Sequence, residues 1–500
     1  MKSNNKLTTL ITSCVSSLRI QKYFLGGAAA VVSGIFIGIG FIRYKPGFPL
    51  DDSWIHQTYA KNLVLYGRWE YIPGEISAGS TSPIWTLILS IGNLLGFKTP
   101  FFWTTFISVI FFVCLVLTAF EIVKNKKPEL LGYSFLAGSA ILLEWHLLWS
   151  VASGMETVLF SLLIALVFLL LNIQKPKWIL LGLLTGLLVW VRPDGITVLG
   201  PILLIFLYKG ITKKIKFINL ITFFIPLILL IGTYGWFNFG ISGKLFPNTF
   251  YAKQIEYAIL LSQPLLIRIY NVFSVLISGA GVLLVPGFIW AGKNAIVKRD
   301  FWKIGVILWI IGYGLLYVFR LPVVYQHGRY LFPLIPMFVV VGICGTSELI
   351  EWLKSRKNTR EHFKTIFFGS VLVCSLIFVS SGEKAYIKDL QTIDQLMVQP
   401  ALWIKNNTNQ TSVIAAHDIG ALGYYSDRKI IDLAGLIEPE VIPFIRNENL
   451  IMDYIEEKEA EYLVVFKGWY PNMDEFGTIV KKFNFHSGTE SEEVQIKKIK

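Results

Sequence analysis

Charged residues are scarce in this 500-residue chain, at 16%, and acids are scarcer than bases, 33 against 46. Ordinary soluble domains carry about 25% charge. The shortfall, with 54% hydrophobic residues, excludes a conventional soluble protein and makes the bilayer the first partner. Cysteine is scarce too: Cys14, Cys114, Cys344 and Cys374 lie far apart, with no CxxC pair and no His at ligand spacing. That excludes a disulfide framework and a zinc site. No basic stripe interleaved with aromatics occurs, so the formal charge of +13 implies no nucleic-acid partner. The positive residues fall instead between apolar runs, where they act as topology signals.

Apolar runs are what the chain has in abundance. A hydrocarbon core of about 30 Å needs about 20 apolar residues, and runs near that length occur at 23–43, 101–121, 130–149, 151–172, 178–193, 194–208, 217–237, 271–291, 304–319, 331–350 and 365–382. They predict a polytopic α-helical membrane protein of about eleven transmembrane helices. The first run is too long for a cleaved signal peptide and reads as a signal anchor. The runs at 178–193 and 194–208, separated only by Arg192-Pro193-Asp194, read as a hairpin that does not fully cross. Lys and Arg gather in alternate connections, which puts the N-terminus in the cytoplasm and the loops around 44–100, 238–270 and 320–330 outside. Parity rejects 84–96 as a span, so it is expected as an interfacial helix with Trp85 at the headgroup boundary. The chain therefore divides into a transmembrane domain, 1–382, with a large first outer loop at 44–100, and a soluble extracytoplasmic α/β domain, 383–500. Short β-branched runs at 412–416, 429–433 and 462–466 supply strands for the latter, and 451–460 a helix.

The first outer loop opens with Asp51-Asp52. Adjacent carboxylates resist joint ionisation, so one can serve as a proton acceptor while the other orients it or binds a cation; either can equally cap the helix that follows. Further on, 79–82 exposes backbone N–H groups before a helix that Pro83 starts, a segment able to cradle an anion. Glu144, His146 and Glu156 stand in or near apolar runs, where an ionisable group is costly. Glu156 is near the outer boundary and suits acceptor hydroxyls or a metal, or a plain helix start. In the outer domain His417-Asp418 ends a strand in a turn, as ligand-facing loops of α/β units do.

Several segments together carry a resemblance. Asp51-Asp52, Tyr59-Ala60-Lys61-Asn62-Leu63, Pro73-Gly74-Glu75 and Thr81-Ser82-Pro83-Ile84-Trp85 are followed by Ser153-Gly154-Met155-Glu156-Thr157, Arg192-Pro193-Asp194-Gly195, Phe246-Pro247-Asn248-Thr249, Gly328-Arg329-Tyr330 and His417-Asp418-Ile419-Gly420. In order, from about 48 to 440, they resemble GT-C fold glycosyltransferases, especially the terminal arabinofuranosyltransferase-like group. Thr58, Ile72 and Ser80 depart from that pattern, at positions that bear on the substrate more than on the reaction class. The resemblance implies inverting transfer from a polyprenyl-phosphate sugar to a hydroxyl acceptor (cell-surface glycan, glycolipid or protein) on the outer face, with Asp51 or Asp52 as general base. An anionic leaving group calls for cations, and Arg329, Lys253 and Arg192 are placed to hold phosphate. Glu156, Ser82, His327, His417 and Asp418 are the candidates for acceptor or sugar contacts. A metal-dependent member would hold Mg or Mn on Asp52 and Glu156. The competing readings are a lipid-linked-sugar flippase or transporter and a non-catalytic component of a cell-envelope assembly. Polar clusters on outer loops rather than at mid-helix depth favour surface chemistry over transport.

Overall fold

The computed structural model describes residues 18–499 apart from 129–130, 174, 213–214, 354–356, 474 and 488–489. The basic tail with Lys2 and Lys6, and Cys14, lie outside the described residues. Eight described helices are long and apolar enough to cross a bilayer, or nine if the pair Leu131–Leu142 and Trp145–Ala152 forms one span. That pair bends by 50° at a break where the Glu144 carboxylate accepts the backbone N–H of Leu147 at 3.0 Å, capping the second helix in place of a continued ladder. The shorter apolar helices Thr157–Asn172 and Trp178–Val191 occupy two further expected segments. Tyr325–Trp352 is buried almost throughout, whereas Phe217–Ser242 and Arg360–Asn407 keep most of their apolar surface outward, as lipid-facing helices do. Tight helix contact depends on small residues: a Cβ at Gly345 would collide with the Gly287 carbonyl.

Two expectations need correction. The run 271–291 is not one helix: Leu265–Ile277 and Ala280–Lys298 are separated at Gly279, whose φ of 111° breaks the helix while the sequence stays apolar. The helix Pro83–Leu94 forms as expected, but Trp85 is not at the headgroup boundary. It is 1% exposed and donates its indole N–H to the Gly154 carbonyl at 2.9 Å, while Leu87, Ile91 and Leu94 take the outer face.

Within the first loop, Asp52–Tyr66 is helical and a small hairpin pairs β1 (Glu70–Ile72) with β2 (Glu75–Ile76). The helix Lys357–Ile393 runs on past residue 383, through a π-turn at Asp394–Val398, into Gln399–Asn407. A five-stranded sheet follows, with β3 (Val413–Ala416), β4 (Lys429–Asp432), β5 (Tyr462–Phe466), β6 (Thr478–Ser487) and β7 (Glu490–Lys498) in the order β4-β3-β5-β7-β6. The expected strands β3, β4 and β5 are mutually parallel. The antiparallel hairpin β6–β7 extends the sheet beyond β5. Parallel strands place their loops at one carboxyl edge, where α/β sheets gather ligand-facing residues. Here that edge, with His417 and Asp418 after β3, Ala434 and Leu436 after β4, and Trp469 and Tyr470 after β5, turns toward the 44–100 loop.

Candidate active site

The two adjacent acids take separate duties. Asp51 is buried and accepts the backbone N–H of Gly420 and of Ala421, each at 2.7 Å. It makes no capping bond to its own helix; it fastens the C-terminal domain to the first loop. Packing there is close, since Tyr71 also donates its hydroxyl to the Ile419 carbonyl. Burial, with Asp418 nearby, lifts Asp51 to about 7 against the pull of its two N–H donors. Folding therefore favours the protonated acid, and the stability that this group contributes is present in full below about pH 4 and lost as pH rises through about 7. Thermal unfolding of the parent in that window should show this decline, and Asp51→Asn should flatten it. Asp51→Ala strands two buried N–H groups, at about 1–3 kcal/mol each, and should read out as a lowered Tm and earlier proteolysis of the C-terminal domain.

Asp52 points the other way. Its Oδ2 accepts from Lys253 Nζ at 3.0 Å and pairs with Arg329. Burial would raise this acid, but Lys253 and Arg329 outweigh it and hold the carboxyl well below the usual range. Tyr330 completes the cluster, its hydroxyl 3.1 Å from Lys253 Nζ. Arg329 is placed by three successive left-handed residues, Gln326, His327 and Gly328, a strained approach that only a well-packed site sustains. The guanidinium is buried, and its Nε and Nη1 have no hydrogen-bond partner among the described residues. Buried donors left unspent are costly and mark the place for an anion.

Asp52, Lys253, Arg329 and Tyr330 line two cavities at once. The smaller, about 120 Å³, lies at the ends of the membrane helices beside the 44–100 loop, against Glu156, Arg192, Asp194, Phe250, Leu316 and Arg320. The larger, about 740 Å³, lies between the loops and the carboxyl edge of the sheet. Arg192 is occupied: it bonds Asp194 at 3.2 Å through Nε and again through Nη2, Tyr317 at 3.2 Å and Glu156 at 3.4 Å. It serves as a rigid charged wall. Arg320, by contrast, has no carboxylate partner among the described residues and rests on the Phe250 ring at 3.6 Å. His56, one helical turn after Asp52, lies behind the site, 3.2 Å from Thr86 Oγ1 and 3.8 Å from Glu156 Oε2; burial depresses its pKa and favours the neutral ring.

Of the residues expected from the sequence, Asp52, Lys253, Arg329, Arg192 and Glu156 meet around the smaller cavity. Asp51, His417 and Asp418 border the larger one. Ser82 is fully buried at a helix start and lines neither. His327 faces Asp389 at 2.8 Å between Trp145 and Trp149 rather than either cavity. Tyr330, Arg320 and Glu256 were not foreseen; Tyr330 sits beside Arg329 in a segment that signalled the site, whereas the other two have no local signature. A divalent metal on Asp52 and Glu156 does not fit these residues. Asp52 is already neutralised by two cations, Glu156 is paired with Arg192, and no group of three His, Cys, Asp or Glu able to hold a metal occurs among the described residues.

The comparisons agree on architecture. A domain of unknown function (DUF8728) matches residues 386–496. An uncharacterised calcium-binding protein of Schizosaccharomyces pombe is 27% identical over 93 residues, 17% of this chain and 47% of that protein, so the chain spans about half the length of the curated relative it matches. The oligosaccharyltransferase of Archaeoglobus fulgidus in its apo form is similar with a TM-score of 0.63 at 11% identity, over 95% of this chain and 74% of that one. ArnT from Cupriavidus metallidurans bound to undecaprenyl phosphate gives 0.58 at 10% identity, over 95% and 97%. At these identities the likeness is one of fold, and the chain is a multi-pass membrane protein with the GT-C fold.

Proposed function

We propose that the protein transfers a sugar from a polyprenyl-phosphate donor to a hydroxyl acceptor at the non-cytoplasmic face, with inversion and with Asp52 as general base. The observation that carries this reading is the position of Asp52 between two cavities, bound to two cations that a phosphate could claim. Two of the similar structures hold such lipids, undecaprenyl phosphate in ArnT and a dolichol-phosphate in the Archaeoglobus oligosaccharyltransferase AglB. In this chain the donor phosphate would enter the smaller cavity and take the unspent nitrogens of Arg329, with Lys253 and Arg320 as further partners.

The chemistry follows from what each side chain holds. A carboxylate gripped by two cations is a weak base. As phosphate oxygens draw Lys253 and Arg329 away, Asp52 becomes more basic at the moment the donor is in place. An acceptor hydroxyl arriving from the larger cavity then attacks the anomeric carbon from the side opposite the phosphate. The new C–O bond forms as the bond to the phosphate breaks, the hydroxyl proton passes to Asp52, and polyprenyl phosphate leaves on Arg329 and Lys253. This reading puts the site and the C-terminal domain on the extracytoplasmic face and the N-terminus in the cytoplasm, as the placement of Lys and Arg between the apolar runs predicts.

Purified protein given synthetic polyprenyl-phosphate sugars with membrane glycan and lipid extracts should release polyprenyl phosphate; failure across the panel counts against the reading. Because Lys253 and Arg329 supply the positive charge, thorough chelation should leave the turnover rate within about twofold of the untreated enzyme. A collapse restored by Mg or Mn would instead require a metal at the site.

A further inference from the structure

The larger cavity carries an inference about the acceptor, which rests on the transfer reading above. At about 740 Å³ it lies within the ~300–1,000 Å³ of small-molecule sites. Its walls are of two kinds. One is aromatic: Trp469, half exposed, stacks on Phe466 with centroids 4.5 Å apart and planes at 23°, with Tyr470 beside it, and Tyr257 and Tyr325 stand on the membrane-domain side. The other is acidic. Besides Asp51, whose burial favours the neutral acid, the lining holds six Asp or Glu residues against three Lys or Arg residues and His417. Two of those cations, Lys253 and Arg329, are held by Asp52, and Arg446 donates to the Glu256 carbonyl at 3.0 Å.

We infer that this cavity is a saccharide subsite, and that the acceptor is a neutral glycan whose pyranose or furanose ring lies against Trp469 with its hydroxyls on Glu256, Asp418 and His417. Sugars combine an apolar C–H face with a rim of hydroxyls, and an aromatic surface edged by carboxylates matches both. His417 stands between two acids, its Nε2 3.5 Å from Glu256 and its Nδ1 3.5 Å from Asp418, both longer than a tight charge-assisted bond of about 2.7–2.9 Å, so a hydroxyl can enter on either side. The excess of carboxylates repels uronate or phosphate groups on an acceptor. Recognition of an extended peptide by strand addition needs an open strand edge, and this cavity is built from strand ends: the parallel strands β3, β4 and β5 reach it only by their carboxyl termini. Asp52 belongs to the same lining, so a bound sugar reaches the base without leaving the cavity.

Saturation-transfer NMR of the full chain in lipid nanodiscs, without donor, tests the subsite independently of turnover. The probes are neutral di- to tetrasaccharides, the corresponding uronates and an unstructured peptide rich in Ser, Thr and Asn. Neutral saccharides should bind. Trp469→Ala should weaken them by about fivefold or more, Trp469→Phe should stay within about threefold of the parent, and Asp418→Asn should weaken them without disturbing the aromatic surface. Uronates should bind more weakly than neutral sugars. The inference is overturned if no saccharide binds, if the peptide or the uronates bind better, or if Trp469→Ala matches the parent. Donor turnover by the parent separates the two claims: turnover without saccharide binding removes the subsite alone, whereas saccharide binding with no donor turned over removes the transfer reading.

Discussion

Asp52→Asn is expected to lower kcat by about 10²–10⁴-fold, the span that removal of a general base produces, with donor binding retained or tightened. The asparagine cannot take a proton, and it no longer competes with phosphate for Lys253 and Arg329. A split of this kind, kcat lost and donor affinity kept, would not follow from a merely structural role. The pH profile adds a second check. Asp52 is held ionised by its cations in the free enzyme, so kcat/KM should show no acid limb from this group between about pH 5 and 9. A base raised by its burial with no cations to oppose the shift would put an inflection inside that range.

Arg329→Met should be the most damaging substitution for the donor. It removes the unspent buried nitrogens offered to phosphate and leaves Asp52 with Lys253 alone. Truncating one member of a buried hydrogen-bonded charge pair costs about 2–5 kcal/mol, so kcat/KM for the donor should drop by about 30-fold to several thousand-fold, with some loss of Tm. The double variant Asp52→Asn/Arg329→Met should lose further Tm, since it leaves the buried Lys253 ammonium without a carboxylate, and stay inactive. If Arg329→Met bound the donor as tightly as the parent, the phosphate would lie elsewhere.

The sequence made the membrane class legible because lipid leaves helices few compositional choices, and it marked Asp51-Asp52 because two adjacent acids at a helix start are conspicuous. It could not separate their roles. Successive residues on a helix point about 100° apart, so one carboxylate meets the C-terminal domain across some 370 residues of chain while its neighbour meets Lys253 and Arg329. Only the tertiary fold decides which. Arg320 and Glu256 were invisible for the same reason: each ends an ordinary helix and gains meaning from Phe250 or His417, which approach from distant segments. The break at Gly279 was hidden by unbroken apolarity on both sides. The β6–β7 hairpin escaped notice because β7, Glu-Ser-Glu-Glu-Val-Gln-Ile-Lys-Lys, is mostly charged, and its strand character comes from pairing with β5 rather than from its own propensity. Trp85 misled because interfacial preference describes a tryptophan with a free face, and this one spends its N–H on Gly154 inside the loop.

The most direct test of the central claim is the stereochemistry of a single transfer. Polyprenyl-phosphate sugars of defined anomeric configuration, presented with the saccharide acceptor that the nanodisc experiment selects, should yield a glycoside of the opposite configuration together with free polyprenyl phosphate, and Asp52→Asn should yield neither. A product of retained configuration, or a chain that only moves intact lipid-linked sugar across the bilayer, would contradict the account.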